Sequence, residues 1–252
     1  MQELLKSLEP ADFSYLAGLM KSDFNATNDG ELSRLSEAYL EDQSEGVRTE
    51  ICRRFETEIR YLGSSEIAYN FRRVMGGDPG VQFQEIVRDV ARTLKVGKPP
   101  LGTDSEQVAW LASEYATAQF ADLTAEEQQK MLEDLGVERE KAEAFLKRSA
   151  GVFALPMLIE AFNYVIVQGL IKTIIFGTIA KIIGQQLANR LFTFLVGRLP
   201  WWVNWIGPAA WTFSIGWTTI DLQGPAKRKT VPVVLYLGIC ALRSTQPPGA
   251  AS

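Results

Sequence analysis

The chain has no histidine and only two cysteines among its 252 residues. The missing histidine excludes the commonest general base, the Ser-His and Cys-His nucleophile pairs, and imidazole metal sites. Cys52 and Cys240 are far apart and lack the C-x-x-C spacing of zinc or redox sites, so we expect two ordinary thiols. These absences predict a protein that is not an enzyme and that binds no metal or cofactor.

Charge is divided unevenly along the chain. Residues 1–150 carry 18 Lys and Arg against 28 Asp and Glu, a net of −10, whereas residues 151–252 carry 8 against 2, a net of +6. The basic part is also the apolar part. Anionic membrane lipid is therefore a better partner for it than nucleic acid, which requires more Lys and Arg.

Apolar residues recur at helical spacing through the first 148 residues, separated by turn signals such as residues 25–30 and 76–80. Pro10 indicates the start of one helix, and Thr103 caps another. Thr124 and Glu127 have the spacing of a capping box. The sequence predicts an all-α fold in which residues 1–148 form an acidic, soluble helical domain.

Two long stretches of the second part are poor in charge. Residues 161–180 contain one charged side chain, Lys172, and residues 199–220 contain none. Each is about as long as a membrane-spanning helix. The second stretch holds five of the six tryptophans: Trp201, Trp202, Trp205, Trp211 and Trp217.

Tryptophan concentrates at the membrane interface, and basic residues bind anionic headgroups. Lys227, Arg228 and Lys229 follow the tryptophan-rich stretch directly. The sequence therefore predicts that residues 149–252 form a hydrophobic, Gly/Trp-rich helical hairpin region that inserts into or anchors on a membrane. The five tryptophans and three cations are its predicted membrane-interface residues.

Polar residues within the apolar stretches leave the topology open. Asn163, Gln168 and Lys172 are costly at the centre of a bilayer, about 3 kcal/mol for the lysine alone. The same region is therefore also consistent with a soluble helical protein whose hydrophobic hairpin is buried. Whether it spans, lies on or is hidden from a membrane is not decided by the sequence.

Two blocks of sequence carry a family resemblance. The first includes residues 58–72, EIRYLGSSEIAYNFR, and continues through residues 80–96; the second covers residues 207–232 and includes GPAKRKTVP. Both blocks resemble the YaaW-like bacterial proteins, a family grouped distantly with ubiquinol–cytochrome c chaperones. The resemblance implies helices ahead of a hydrophobic tail and an assembly role at a respiratory membrane. It brings no catalytic residues.

Four charged residues in and beside the first block form a candidate polar interaction cluster: Glu58, Arg72, Glu85 and Asp89. Charged residues near a glycine-rich turn more often pair with one another or with helix ends, and we keep both interpretations.

The leading functional hypothesis is a non-enzymatic membrane-associated protein. Its acidic domain shelters hydrophobic helices that anchor on a bilayer or permeabilise it, as in toxin or defence effectors. The alternative is a membrane-tethered chaperone or assembly factor. We expect a cytoplasmic N-terminal region, because no basic and apolar leader is present, and association with the inner membrane through the C-terminal region. A protein partner or a homo-oligomer fits either hypothesis.

Overall fold

The computed structural model describes residues 1–21, 26–62, 81–198 and 225–244. Within these ranges it contains eleven helices and no strand, which confirms the all-α prediction. The helices are α1 (Gln2–Lys6), α2 (Pro10–Met20), α3 (Ala26–Glu41), α4 (Glu45–Leu62), α5 (Phe83–Thr93), α6 (Asp104–Ala121), α7 (Ala125–Asp134), α8 (Arg139–Ser149), α9 (Leu155–Ile183), α10 (Gln185–Arg198) and α11 (Pro225–Ser244).

Local capping explains where several helices begin. At the start of α6 the Thr103 hydroxyl accepts a hydrogen bond from the backbone N–H of Glu106, and the Glu106 carboxylate accepts one from the backbone N–H of Thr103. Thr124 forms the same capping box at α7. α2 begins at Pro10, as predicted. The turn predicted at residues 25–30 is wrong over residues 26–30, which form the beginning of α3.

The last helix, α11, lies at the centre of the molecule. Every residue from Thr230 to Ala241 is buried, on all faces of the helix. The helix packs against α6 most extensively and also against α2, α4, α5 and α9. Gly238 makes the contact with α6 close, because a Cβ atom there would lie 2.5 Å from the carbonyl oxygen of Val108. The apolar run at the C-terminus is thus a core helix of the fold.

The longest helix, α9, contains a break. Asn163 has a φ of 71° and non-helical backbone, and its side-chain oxygen accepts a hydrogen bond from the backbone N–H of Ile166 at 3.1 Å. Asn163 therefore acts as an N-cap for the part of α9 that follows it. The apolar stretch at residues 161–180 is therefore not one uninterrupted helix, because Asn163 breaks it. Its continuous helical part covers residues 164–183.

The hydrophobic core crosses the boundary that the sequence predicts between residues 148 and 149. Buried apolar residues of α1 to α8 form one contiguous cluster with those of α9, α10 and α11. An example is the Tyr15 ring in α2, whose centroid lies 4.3 Å from that of Tyr236 in α11. Independent folding of residues 1–148 stays a prediction, since in the intact chain α11 fills the space between those helices.

The close approach of α11 and α6 predicts the effect of replacing Gly238 by alanine. The added methyl group would overlap the Val108 carbonyl and the Ala112 Cβ atom, so the helices must move apart. We expect the free energy of unfolding to fall by about 1–3 kcal/mol, the usual range for overpacking. Urea denaturation measures it.

The control is Gly46→Ala, in the first turn of α4, where an added Cβ atom meets nothing within 4 Å. This change should be neutral or stabilise by up to about 1 kcal/mol, because alanine favours a helix. Equal effects of the two substitutions would contradict the proposed packing of α11 on α6.

Candidate functional site

A buried polar cluster joins α2 to α11. The carboxylate of Asp12 has no exposed surface. Its Oδ1 accepts a hydrogen bond from the Tyr236 hydroxyl at 2.7 Å, and its Oδ2 accepts one from the Arg243 guanidinium at 2.9 Å. The backbone N–H of Glu9 also donates to Oδ2, at 2.8 Å. Asp12 thus caps α2 and binds α11 at two places, at Tyr236 in its middle and at Arg243 near its C-terminal end.

Arg243 extends the cluster toward the surface. Its guanidinium also forms an ion pair with Glu9 at 3.3 Å and donates a hydrogen bond to the carbonyl oxygen of Ser7 at 3.2 Å. The positive charge of Arg243 is mostly buried. It is compensated by two carboxylates and by the carbonyl oxygen of Ser7. Removing one partner of such a buried pair typically costs about 3–5 kcal/mol.

The cluster favours the neutral forms of the Tyr236 hydroxyl and the Cys240 thiol. Burial, together with the negative charge of Asp12, raises the pKa of the Tyr236 hydroxyl and of the Cys240 thiol well above their usual ranges. A thiol with a raised pKa is a poor nucleophile, because the thiolate is the reactive form. The carboxylate of Asp12 is already occupied by three donors. This geometry gives the cluster a structural role.

Lys172 in α9 brings a further charge close to the cluster. Its side chain is 4% exposed, and burial, with a smaller contribution from Arg243, lowers its pKa to about 8. Helix α9 also contacts the end of α11 through Gln168, whose amide donates to the carbonyl oxygen of Leu242 at 3.1 Å. Of the three polar residues that the sequence indicated as costly in a bilayer, Gln168 and Lys172 therefore lie close to α11. Asn163 is exposed.

The predicted basic interface residues lie in the first turns of α11. Lys227 and Arg228 are exposed, and Lys229 is half-buried. The first turn of α11 has no acidic residue. Cations at a helix N-terminus oppose the helix dipole by about 0.3–1 kcal/mol each, so these three side chains do not stabilise their own helix. Their position is available to an anionic partner.

The five predicted interface tryptophans, Trp201, Trp202, Trp205, Trp211 and Trp217, lie outside the described residues. The sixth, Trp110, lies in α6 and is half-buried against the core. Exposed Arg198 ends α10 on one side of the tryptophan-rich stretch, and exposed Lys227 and Arg228 follow it on the other side. Basic side chains thus flank this stretch on both sides.

The candidate cluster of Glu58, Arg72, Glu85 and Asp89 is described only in part, since Arg72 lies outside the described residues. Glu85 and Asp89 are exposed on neighbouring turns of α5, and Asp89 pairs with Arg92 at 2.7 Å. Glu58 is half-buried in α4. Among the described residues, no group of three or more Cys, Asp and Glu side chains could hold a metal ion.

One described helix, α9, is long and apolar enough to cross a membrane. In its most apolar window, 67% of the residues are buried inside the protein. That burial is typical of a core helix in a water-soluble fold, and the same length and composition also suit a membrane span.

Sequence reasoning missed the cluster around Asp12. It gave Tyr236 no role and took Cys240 as an ordinary thiol. The only signal in the sequence was Arg243, a lone cation at the end of an otherwise apolar run. Such a residue requires an acidic partner when its helix is buried, but nothing in the sequence says which acid.

Replacing Lys172 by methionine tests the cost of burying its charge. The folded-state pKa of about 8 lies below the ordinary value of 10.5, so the unfolded chain binds more protons between these pH values. The free energy of unfolding of the wild-type protein should therefore rise as the pH increases from 8 to 10.5, because Lys172 loses its proton. Below pH 8 Lys172 is charged in the folded protein, and the full cost of burying that charge remains. At pH 7 we expect Lys172→Met to be more stable by about 3 kcal/mol, measured by urea denaturation.

The difference in the free energy of unfolding between Lys172→Met and the wild type should shrink as the pH rises through this window. Tyrosines and cysteines titrate in both proteins, so their contribution cancels in this difference. Lys181→Met is the matched control, because Lys181 is an exposed lysine of the same helix. A pH-independent difference between wild type and Lys172→Met would show that the buried ammonium carries no such penalty.

Comparison with known proteins gives one relationship. The chain is similar to a UPF0174 protein of Helicobacter pylori, with 27% identity over 198 residues, which cover 77% of this chain and 72% of that protein. No protein-family model matches the chain. No solved structure matches it either. The similarity supports placing the chain in an uncharacterised bacterial protein family.

Proposed function

We propose that this is a non-enzymatic, membrane-associated protein that anchors on an anionic bilayer through the stretch between α10 and α11. The observation that carries the proposal is the placement of exposed Lys227 and Arg228 at the N-terminal end of α11. There they oppose the dipole of their own helix. A residue that weakens its own helix and remains exposed is well placed to bind a negatively charged surface.

The sequence between the flanking cations supports the same proposal. Residues 199–220 carry no charge and five tryptophans, a composition typical of the boundary between headgroups and acyl chains. Arg198 precedes them, and Lys227 follows. Amphipathic rings and flanking cations together provide the two signals that stable peripheral anchoring requires.

Burial of the other apolar helices favours anchoring over insertion. Helix α11 is buried on every face and held by Asp12, and most of the apolar part of α9 is buried as well. Inserting either helix would require the core to open. The form of the hypothesis in which the protein permeabilises the bilayer therefore predicts leakage of dye from vesicles, and anchoring alone predicts binding without leakage.

The finer family assignment is also a proposal. The two blocks at residues 58–96 and 207–232 support a YaaW-like protein, and through that resemblance the alternative function of a membrane-tethered assembly factor. The anchor is common to both functions. A client protein that co-purifies from detergent-solubilised membranes, and that is lost when α1 to α8 are altered, would favour the assembly factor.

Replacing Lys227, Arg228 and Lys229 together by glutamine should weaken binding to vesicles that contain phosphatidylglycerol. Each cation contributes about 1 kcal/mol near an anionic surface, so we expect about 100-fold weaker binding at low salt. Co-flotation of the full chain with these vesicles and with phosphatidylcholine vesicles measures the effect.

The control removes the same charge elsewhere, by replacing Lys98, Lys147 and Arg148 with glutamine, three exposed residues remote in sequence from the tryptophan-rich stretch. This triple variant should bind almost as well as the wild type. Equal losses in the two triple variants would leave only a net-charge effect and contradict an anchor at α11.

Single-tryptophan variants test which ring meets lipid. The full chain that retains only Trp202 should lose fluorescence in vesicles made with brominated lipids, because an interfacial ring lies within reach of the acyl bromines. The variant that retains only Trp110 should not be quenched, since that ring packs against the protein core. If Trp202 is unquenched by lipid and already shielded from aqueous iodide before vesicles are added, the stretch is part of a protein core.

A further inference from the structure

A groove opens between α2, α3 and α10, and Arg198 is its one described lining residue that the membrane proposal also uses. Its volume is about 550 Å³, within the range of small-molecule sites. Apolar side chains from all three helices form its walls: Ala17, Leu40, Leu187, Leu191 and Phe194. Leu40 and Phe194 are half-buried, so the apolar surface is accessible from the groove.

The helices that form the groove are in close contact on one side. A Cβ atom on Gly18 in α2 would overlap the end of the Leu191 side chain of α10, which would have to shift. α10 is therefore seated directly on α2, and the groove is formed by the diverging surfaces of these helices with α3. It is a feature of the packed fold.

Cations gather at the groove although the helices around it belong mainly to the acidic part of the chain. Lys21, Arg190 and Arg198 line it and are all exposed, and Glu37 is the one acid among the described lining residues. These described residues together have a net charge of +2. Three cations around an apolar slot are complementary to a molecule with an anionic head and an apolar tail.

A buried hydroxyl group also lines the groove. The Oγ atom of Ser14 is buried and has no hydrogen-bond partner among the described residues. Buried polar atoms are nearly always hydrogen-bonded, so an orphan hydroxyl group requires an explanation. A polar head lying in the groove would supply its partner.

A second cavity differs from the groove in its charged lining. It has a volume of about 480 Å³, lies between α6 and the beginning of α9, and has similarly apolar walls that include Trp110 and Phe153. Among its described lining residues the charged ones are Glu106 and Glu114, and none is a cation. The two cavities are therefore alike in size and apolarity, and of these two the groove has the charge that suits an anion.

We propose that the groove between α2, α3 and α10 binds a free, single-chain anionic amphiphile of the fatty-acid class. The acyl chain lies along Leu40, Leu187 and Phe194. The carboxylate is held by Arg190, Arg198 and Lys21. The proposal goes beyond the membrane anchor, because it concerns a soluble ligand, and the two share Arg198 alone among the described residues.

Isothermal titration of the full chain with three twelve-carbon amphiphiles below their micelle concentrations tests the proposal. Dodecanoate should bind at one saturable site, more tightly than dodecyl maltoside and dodecyltrimethylammonium. Its affinity should fall with added salt, whereas that of the neutral maltoside should not. Equal affinity for the three head groups, or non-saturable binding, would overturn the proposal.

The double variant Arg190→Gln, Arg198→Gln should bind dodecanoate about tenfold more weakly, with binding of the maltoside unchanged. Both residues are exposed, so the fold should persist, which circular dichroism and thermal melting check. The charge-matched control Lys147→Gln, Arg148→Gln should bind dodecanoate as the wild type does. No difference between the two double variants would remove the assigned head-group site.

The tail site is tested by Leu187→Glu, which places a negative charge in the apolar wall and should abolish binding of dodecanoate. Leu155→Glu makes the same change in the second cavity and should leave binding intact. If Leu187→Glu fails to fold, the arginine variant decides alone.

The same titration can also indicate that the groove has a different occupant. No binding of dodecanoate to the intact chain would favour occupation of the groove by residues 199–224, which follow Arg198 directly, and would overturn the proposal. Affinity that falls as the protein concentration rises, in step with dimer formation in sedimentation, would assign the groove to a second copy and would overturn it equally.

Discussion

The carboxylate of Asp12 is the point on which the arrangement of helices depends. It caps α2, accepts hydrogen bonds from Tyr236 and Arg243, and so fixes the position and rotation of α11. Because α11 packs against α2, α4, α5, α6 and α9, its placement determines how those helices meet. A buried acid held by three donors favours one arrangement, since sliding or rotating α11 would leave the charge of Asp12 unpaired at high cost.

This constraint changes how the apolar second part of the chain is understood. By composition, α9 and α11 resemble membrane segments, but their polar residues find partners inside the protein: Gln168 reaches the end of α11, and Arg243 reaches α2. Lys172 remains buried at the expense of its charged form. The fold thus encloses these helices, and the proposed membrane association rests on the stretch between α10 and α11 and its flanking cations.

Helix α10 is the link between the two proposed surfaces. It is seated on α2 through Gly18, it contributes two arginines to the groove, and it ends where the tryptophan-rich stretch begins. The common function of these arginines in the groove depends on α2 and α3, which are more than 140 residues away along the chain. A local sequence pattern does not predict a contact between residues so far apart in the chain.

The sequence by itself determined the helices, their caps and the division of charge, because capping boxes and apolar periodicity act within a few residues, as Thr103 and Glu106 show. It also identified Lys172 as an unusual charge in an apolar segment. Tertiary structure decided that this segment and α11 are enclosed, that Asn163 interrupts α9, and that Asp12 meets Tyr236 across 224 positions of the chain. The physical reason is that an apolar helix gains the same free energy from leaving water whether lipid or protein surrounds it, so only the partners of its few polar groups distinguish the two environments.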